Sequence, residues 1–153
     1  MYPYRVCVFY TNDTITARTY SIGSLGQGGN VVQVENINVG RGNVNGVTFE
    51  RLTFNDVENP IIINQNYCDV KGKCPELKTG VQISNVTYRN AVGTSASKIA
   101  INLSCSKSVP CYGISMESIH LTSAVARRQV TAQCSNARGR EDDVVPGPCL
   151  LHV

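Results

Sequence analysis

Gly46-Val-Thr-Phe-Glu-Arg-Leu-Thr-Phe54 is the stretch on which the fold turns. Its apolar residues Val47 and Phe49 alternate with polar ones, the period then skips a residue, and Leu52 and Phe54 resume it. Alternation with period two marks a strand with one face buried. The skip is what a strand shows where it bends at the corner of a coil. Gly113-Ile-Ser-Met-Glu-Ser-Ile-His-Leu121 repeats the pattern at Ile114, Met116, Ile119 and Leu121. Gly80-Val-Gln-Ile-Ser-Asn-Val-Thr-Tyr88 reads as a third copy through Val81, Ile83, Val86 and Tyr88, with its skip at Asn85. Aligned on the third apolar position, Leu52, Val86 and Ile119 recur at nearly equal intervals in the low thirties. Repeats at that period are stacked units. Each unit here holds strands and turns without a helix, which predicts a parallel β-helix. A β-sandwich with look-alike strands is the competing reading of the pattern.

The wider composition agrees on an all-β chain. Val, Ile and Thr number 41 against 15 for Ala and Leu, and β-branched side chains favour the pleated strand. Fourteen Asn and 13 Gly supply residues that tolerate turns and left-handed backbone. Strand-like runs fall at Val31–Val39, Val47–Phe54, Ile61–Asn64, Val81–Tyr88, Ile99–Leu103 and Gly113–Leu121. In the first of them Ile37 takes the anchor position, and it precedes Leu52 by less than half of the repeat interval. At ~3.3 Å per residue that stretch is too short to circle such a coil. Either the strand pairs locally or half a coil is missing there.

A length of 153 residues suits one domain, and 42% apolar against 16% charged residues suits a folded one. The net charge is +3, with the 14 basic residues scattered, so the basic stripe of a nucleic-acid protein is missing. The longest uncharged apolar run, Ile61-Ile-Ile63, is far too short to cross a bilayer. Seven cysteines and the glycosylation sequons at Asn12, Asn85 and Asn102 point to an oxidising, secretory compartment. Met1 to Tyr10 has too short an apolar core for a signal peptide. No C-x-x-C pair accompanies the two histidines, so a zinc site is not expected. A serine-nucleophile elbow is absent, and the glycines of Gly23 to Gly29 lack the lysine of a phosphate loop. His120 alternates against Ile119 and Leu121 and reads as a surface histidine. Glu141-Asp-Asp143 reads as a solvated charge cluster in a loop.

Several longer strings carry a resemblance. They are Ser21-Ile-Gly-Ser-Leu-Gly-Gln-Gly-Gly29, Asn59-Pro-Ile-Ile-Ile-Asn-Gln-Asn-Tyr-Cys-Asp69, Val81-Gln-Ile-Ser-Asn-Val-Thr-Tyr-Arg-Asn90, Gly93-Thr-Ser-Ala-Ser97 and Cys105-Ser-Lys-Ser-Val-Pro-Cys111. In this order they resemble the plant polygalacturonases of glycoside hydrolase family 28. The resemblance implies a right-handed parallel β-helix, here its C-terminal coils, over residues 21–150. Residues 1–20 are unmatched and 151–153 form a tail. It also implies inverting hydrolysis of the α-1,4-galacturonan of pectin, a cell-wall location, no cofactor and a monomer.

That chemistry takes an acid and a base held ~6.5–9.5 Å apart, and in the family these come from Asn-Thr-Asp and Asp-Asp motifs. Neither motif is found upstream of Ser21. Where Gly-His-Gly is expected the chain reads Ala17-Arg-Thr19, and a guanidinium is no proton shuttle. The Arg-Ile-Lys motif belongs between Val39 and Val47, where the spacing is short. Tyr67 matches the family tyrosine that faces the sugar. Cys105 with Cys111 and Cys134 with Cys149 resemble the family's C-terminal bridges. Cys68 and Cys74, at the same short spacing, are a third candidate pair, which leaves Cys7 over. The expectation is therefore a chain that keeps late coils and lacks catalytic ones, and so is inactive. Two other readings stand beside it. One is a pectin-binding module using Tyr67, Lys71 and Lys73. The other is a truncated product without its own function, poorly soluble because open coil edges are exposed.

Overall fold

The computed structural model describes residues 7–8, 43–65 and 82–152, and it joins them into two sheets. One sheet stacks the long strands β2 (Asn43–Val57), β4 (Gln82–Ser95), β6 (Cys111–Ser123) and β8 (Ala137–Val145), all parallel. The other stacks the short strands β3 (Ile61–Asn64), β5 (Ile99–Ser104) and β7 (Thr131–Ser135), also parallel. The two-residue β1 (Cys7–Val8) runs antiparallel beside β3. The chain alternates between sheets, one long and one short strand per turn, which is the path of a parallel β-helix. The right-handed sense is the one that parallel crossovers take.

Inward side chains stack in register. Val47, Val86 and Ile114 form one column, Phe49, Tyr88 and Met116 the next, and Leu52, Ala91, Ile119 and Val144 another. With Ile61, Ile63, Ile101 and Leu103 of the short strands they form a continuous core, most of it without solvent contact. Such side chains contribute about 1.5–3 kcal/mol each by burial. The rings of Phe49 and Tyr88 stack at 5.3 Å between centroids.

The register corrects one reading. Leu52 stacks on Ala91, not on Val86, so the middle copy begins at Asn85 and not at Gly80. The coils are therefore unequal. The path from Leu52 to Ala91 is the longest, and those from Ala91 to Ile119 and from Ile119 to Val144 are successively shorter. The physical reason lies in the corner slot. Gly46, Asn85 and Gly113 stack there with φ of +74°, +53° and +65°. Asparagine tolerates that left-handed backbone nearly as glycine does, so the glycine that opens the pattern elsewhere has its counterpart in Asn85 and not in Gly80. Gly93 then fills the last apolar position because a side chain there does not fit. A Cβ on Gly93 lies 2.0 Å from the Phe54 carbonyl oxygen.

A second left-handed column explains the skipped residue in the pattern. Arg51, Asn90, Ser118 and Asp143 have φ of +57°, +55°, +53° and +53°, and their successors Leu52, Ala91, Ile119 and Val144 stack in register. Each long strand therefore bends at the same place. Glu141-Asp-Asp143 lies on β8 and not in a loop. Its pairing with β6, and not an apolar pattern of its own, makes it a strand. After β8 the tail folds back along it: Leu151 donates to the Ala137 carbonyl and accepts from Gly139, both at 3.0 Å, and Leu150 is buried. The run Val31–Val39 and the Ile37 spacing lie outside the described residues.

Candidate functional site

Tyr67 lies outside the described residues, as do Cys68, Cys74, Lys71, Lys73, Asn12 and the Ala17-Arg-Thr19 stretch. The ends of the short strands form a ledge, described in the first coil up to Gln65. The short strands end together at this ledge. Gln65 N–H donates to the Ser104 carbonyl at 2.9 Å, and Cys105 N–H to the Ser135 carbonyl at 3.0 Å. Between coils, Ser106 N–H donates to Gln65 Oε1 at 2.6 Å, and Asn136 Nδ2 donates to the Cys105 carbonyl at 3.0 Å. Asn136 reaches that carbonyl from a left-handed turn with φ of +52°.

A disulfide between Cys105 and Cys111, both fully buried, closes the loop beside this ledge. Cys111 N–H in turn donates to the Asn136 carbonyl at 3.0 Å. A second disulfide joins Cys134 to Cys149 and ties the tail to β7. The ledge residues Asn64, Gln65, Ser104, Ser106, Ser135 and Asn136 are amides and hydroxyls. Amides and hydroxyls do not titrate near neutral pH, and Gln65 Oε1 and Asn136 Nδ2 are engaged between coils. Lys107 stands exposed on the bridged loop.

Among the described residues, ionisable groups cluster on the outer face of the long sheet. Ser115 Oγ donates to Glu117 Oε1 at 2.8 Å, and Arg140 Nη2 donates to the same oxygen at 3.0 Å. Arg140 Nε closes the triangle on Ser115 Oγ at 3.1 Å. The Glu117 carboxyl is held below its ordinary value, chiefly by the Ser115 hydroxyl. Arg140 and Arg89 add to this against the cost of desolvation. Arg89 pairs with Glu50 on the neighbouring coil. His120 Nε2 lies 2.9 Å from Asp143 Oδ1, with both side chains more than half exposed. Glu141 accepts from the Cys149 N–H at 3.0–3.1 Å.

Sequence reasoning missed the Ser115–Glu117–Arg140 triangle. Ser115 and Arg140 are distant in sequence, and only the pairing of β6 with β8 brings them together. Between β4, β6 and β8 lies an open groove of about 490 Å³, lined by Asn85, Thr87, Gly113, Ser115, Arg140 and His152. Among the described residues no group of three or more His, Cys, Asp or Glu converges as metal ligands do. No helix there is long and apolar enough to cross a membrane.

The stacked parallel strands give the fold, and comparison with known sequences names the family. The model of glycosyl hydrolases family 28 matches residues 29–144. The chain belongs to that family. Polygalacturonase QRT2 of Arabidopsis thaliana is 40% identical over 129 residues, covering 84% of this chain and 28% of that protein. The polygalacturonase of Malus domestica is 40% identical over 149 residues, covering 84% and 31%. That of Persea americana is 39% identical over 120 residues, covering 74% and 26%. This family 28 chain thus spans less than a third of the length of the relatives it matches. The parallel β-helix expected from the resemblance is the fold observed.

Proposed function

We propose that the chain is a polygalacturonase-type family 28 polypeptide directed at the galacturonan of pectin in the plant cell wall. We further propose that these 153 residues do not hydrolyse that polymer by themselves. Similarity to proteins named polygalacturonases supports the substrate class. The disposition of the carboxylates among the described residues supports the second part. An inverting hydrolase needs one protonated and one ionised carboxyl facing each other across the scissile bond. The chain's one Asp-Asp pair, Asp142-Asp143, stands on β8 in the long-strand sheet. Asp143 is engaged by His120. Glu117, depressed and ion-paired, is the opposite of a general acid.

The purified chain, incubated with polygalacturonate, should release no reducing ends above buffer. Release that follows the chain through two unlike columns and disappears in Tyr67→Ala overturns the proposal. A binding role is the second reading, favoured by the neutral amide ledge and the exposed Lys107 beside it. Retention on a pectate column that falls with salt and is lost in Tyr67→Ala supports it. Flow-through at low salt excludes it.

A further inference from the structure

The three sequons differ in what the fold does with them. Asn12 lies outside the described residues. Asn102 is half-buried inside β5, paired in register with Ile62 on one side and Gln133 on the other. Asn85 is exposed in a left-handed corner with φ of +53°, at the mouth of the groove that also takes in its sequon threonine, Thr87.

We infer that Asn85 is an N-glycosylation site whose first sugars lie in the groove between β4, β6 and β8. Three observations carry this. The Asn85 amide Nδ2 donates to Asn45 Oδ1 at 2.7 Å. An amide nitrogen has two hydrogens, so one can be replaced by a sugar while the other keeps the bond to Asn45. Gly113 sits above Asn85 on the next coil, and a Cβ there would come within 2.5 Å of Asn85 Oδ1. The glycine thus leaves room for the Asn85 side chain to stand out from the corner. The groove continues across three coils, about 10 Å at the usual strand spacing, past Thr87, Ser115, Arg140 and His152. Hydroxyls, a guanidinium and an imidazole along the groove suit a neutral saccharide, which offers hydroxyl groups on its rim.

Transfer requires a lipid-pyrophosphate-linked oligosaccharide and the secretory enzyme that uses it. The Asn85 nitrogen bonds to the anomeric carbon, the anomeric C–O bond to the pyrophosphate breaks, the amide gives up a proton, and the lipid pyrophosphate leaves. In the plant this inference rests on the cell-wall location proposed above. A heterologous secretion leader removes that dependence, so failure of one does not count as failure of the other.

The chain, fused to such a leader, is expressed in insect or plant cells. Both medium and microsomes are treated with an amide-cleaving glycosidase in heavy-oxygen water and digested with trypsin. Lys78, Arg89, Lys98 and Lys107 place Asn85 and Asn102 on separate peptides, 79–89 and 99–107. The expected result is heavy oxygen in the first peptide and little in the second. Thr87→Ala removes the sequon but keeps asparagine in its corner, and should abolish the label. An unlabelled 79–89 peptide, or a label confined to 99–107, overturns the assignment. For the groove, the glycosidase should release the Asn85 sugar from native Arg140→Ala protein several-fold faster than from the parent. Equal rates overturn the seating of the sugar there.

Discussion

Arg89 and Glu50 stand directly opposite each other on neighbouring coils, and the Arg89 guanidinium donates twice to one Glu50 oxygen. Nε lies 3.0 Å and Nη2 2.6 Å from Oε2. Both side chains are substantially exposed, 46% for Arg89 and 36% for Glu50. Solvent screening therefore limits what this well-aimed pair contributes. Arg89→Ala should lower unfolding stability by less than about 1 kcal/mol, and by less still at high salt. Denaturant titration at two salt concentrations checks both. A larger, salt-independent loss would mean that the arginine stem is holding the coils by packing.

Glycine at the close approach of backbones matters more than that charge pair. A Cβ on Gly139 would sit 1.8 Å from the Ile114 carbonyl oxygen, inside the β6–β8 ladder. Gly139→Ala should destabilise by about 3 kcal/mol or more, because backbone and not a flexible side chain must move. If its midpoint in denaturant matches that of the parent, the spacing of β6 and β8 described above is wrong.

The two disulfides should respond differently to reductant. Cys105 and Cys111 are fully buried, whereas Cys134 and Cys149 are half-buried. Thiol exchange needs access to a sulfur. Mild reduction of the native chain should open Cys134–Cys149 first, which stepwise alkylation and mass mapping would reveal. Removing Cys134–Cys149, with a sequence separation of 15, should cost about 3 kcal/mol in the chain-entropy model. Cys105–Cys111, separated by 6, should cost about 2 kcal/mol by the same loop-entropy formula, before any loss of core packing.

Glu117 gives the acid limb of stability a definite sign. Its folded carboxyl titrates below the ordinary value of 4.5, so the unfolded chain binds the proton more readily. The stabilisation is complete above that value and is lost as pH falls through the folded pKa. Glu117→Gln should flatten melting temperature against pH on the acid side, and Ser115→Ala should do so in part. Parallel curves for parent and Glu117→Gln would show that the triangle does not form in solution.

The sequence made some of this legible and hid the rest for physical reasons. Val47, Phe49, Leu52 and Phe54 announce a bent strand because their burial is periodic, and Gly113 to Leu121 repeats the announcement. The middle coil is hidden in the pattern because Asn85 occupies a corner that glycine occupies elsewhere and because Gly93 replaces an apolar residue. Strand β8 was invisible: Arg138, Arg140, Glu141, Asp142 and Asp143 show no apolar alternation, and their order is imposed by the β6 edge. The Glu117–Arg140 pair depends on that same register. Tyr67 is singled out only by a resemblance, since nothing in its sequence neighbours distinguishes a ligand tyrosine from one in a turn.

The column of Arg51, Asn90, Ser118 and Asp143 has a bearing on how such a chain tolerates change. The coil from Arg51 to Asn90 is much longer than the one from Asn90 to Ser118, yet the bend falls at the same angular position in each. The excess residues fall in the connection between the end of β3 and the start of β4, and in general doubling a loop costs only about 0.6 kcal/mol in closure entropy. The stack is therefore paced by backbone angle and not by residue count. Insertions and deletions in those connections should alter the loops at the rim while leaving the solenoid's pitch untouched, whereas a single proline at Asn90 or Ser118, where φ must be positive, should break it.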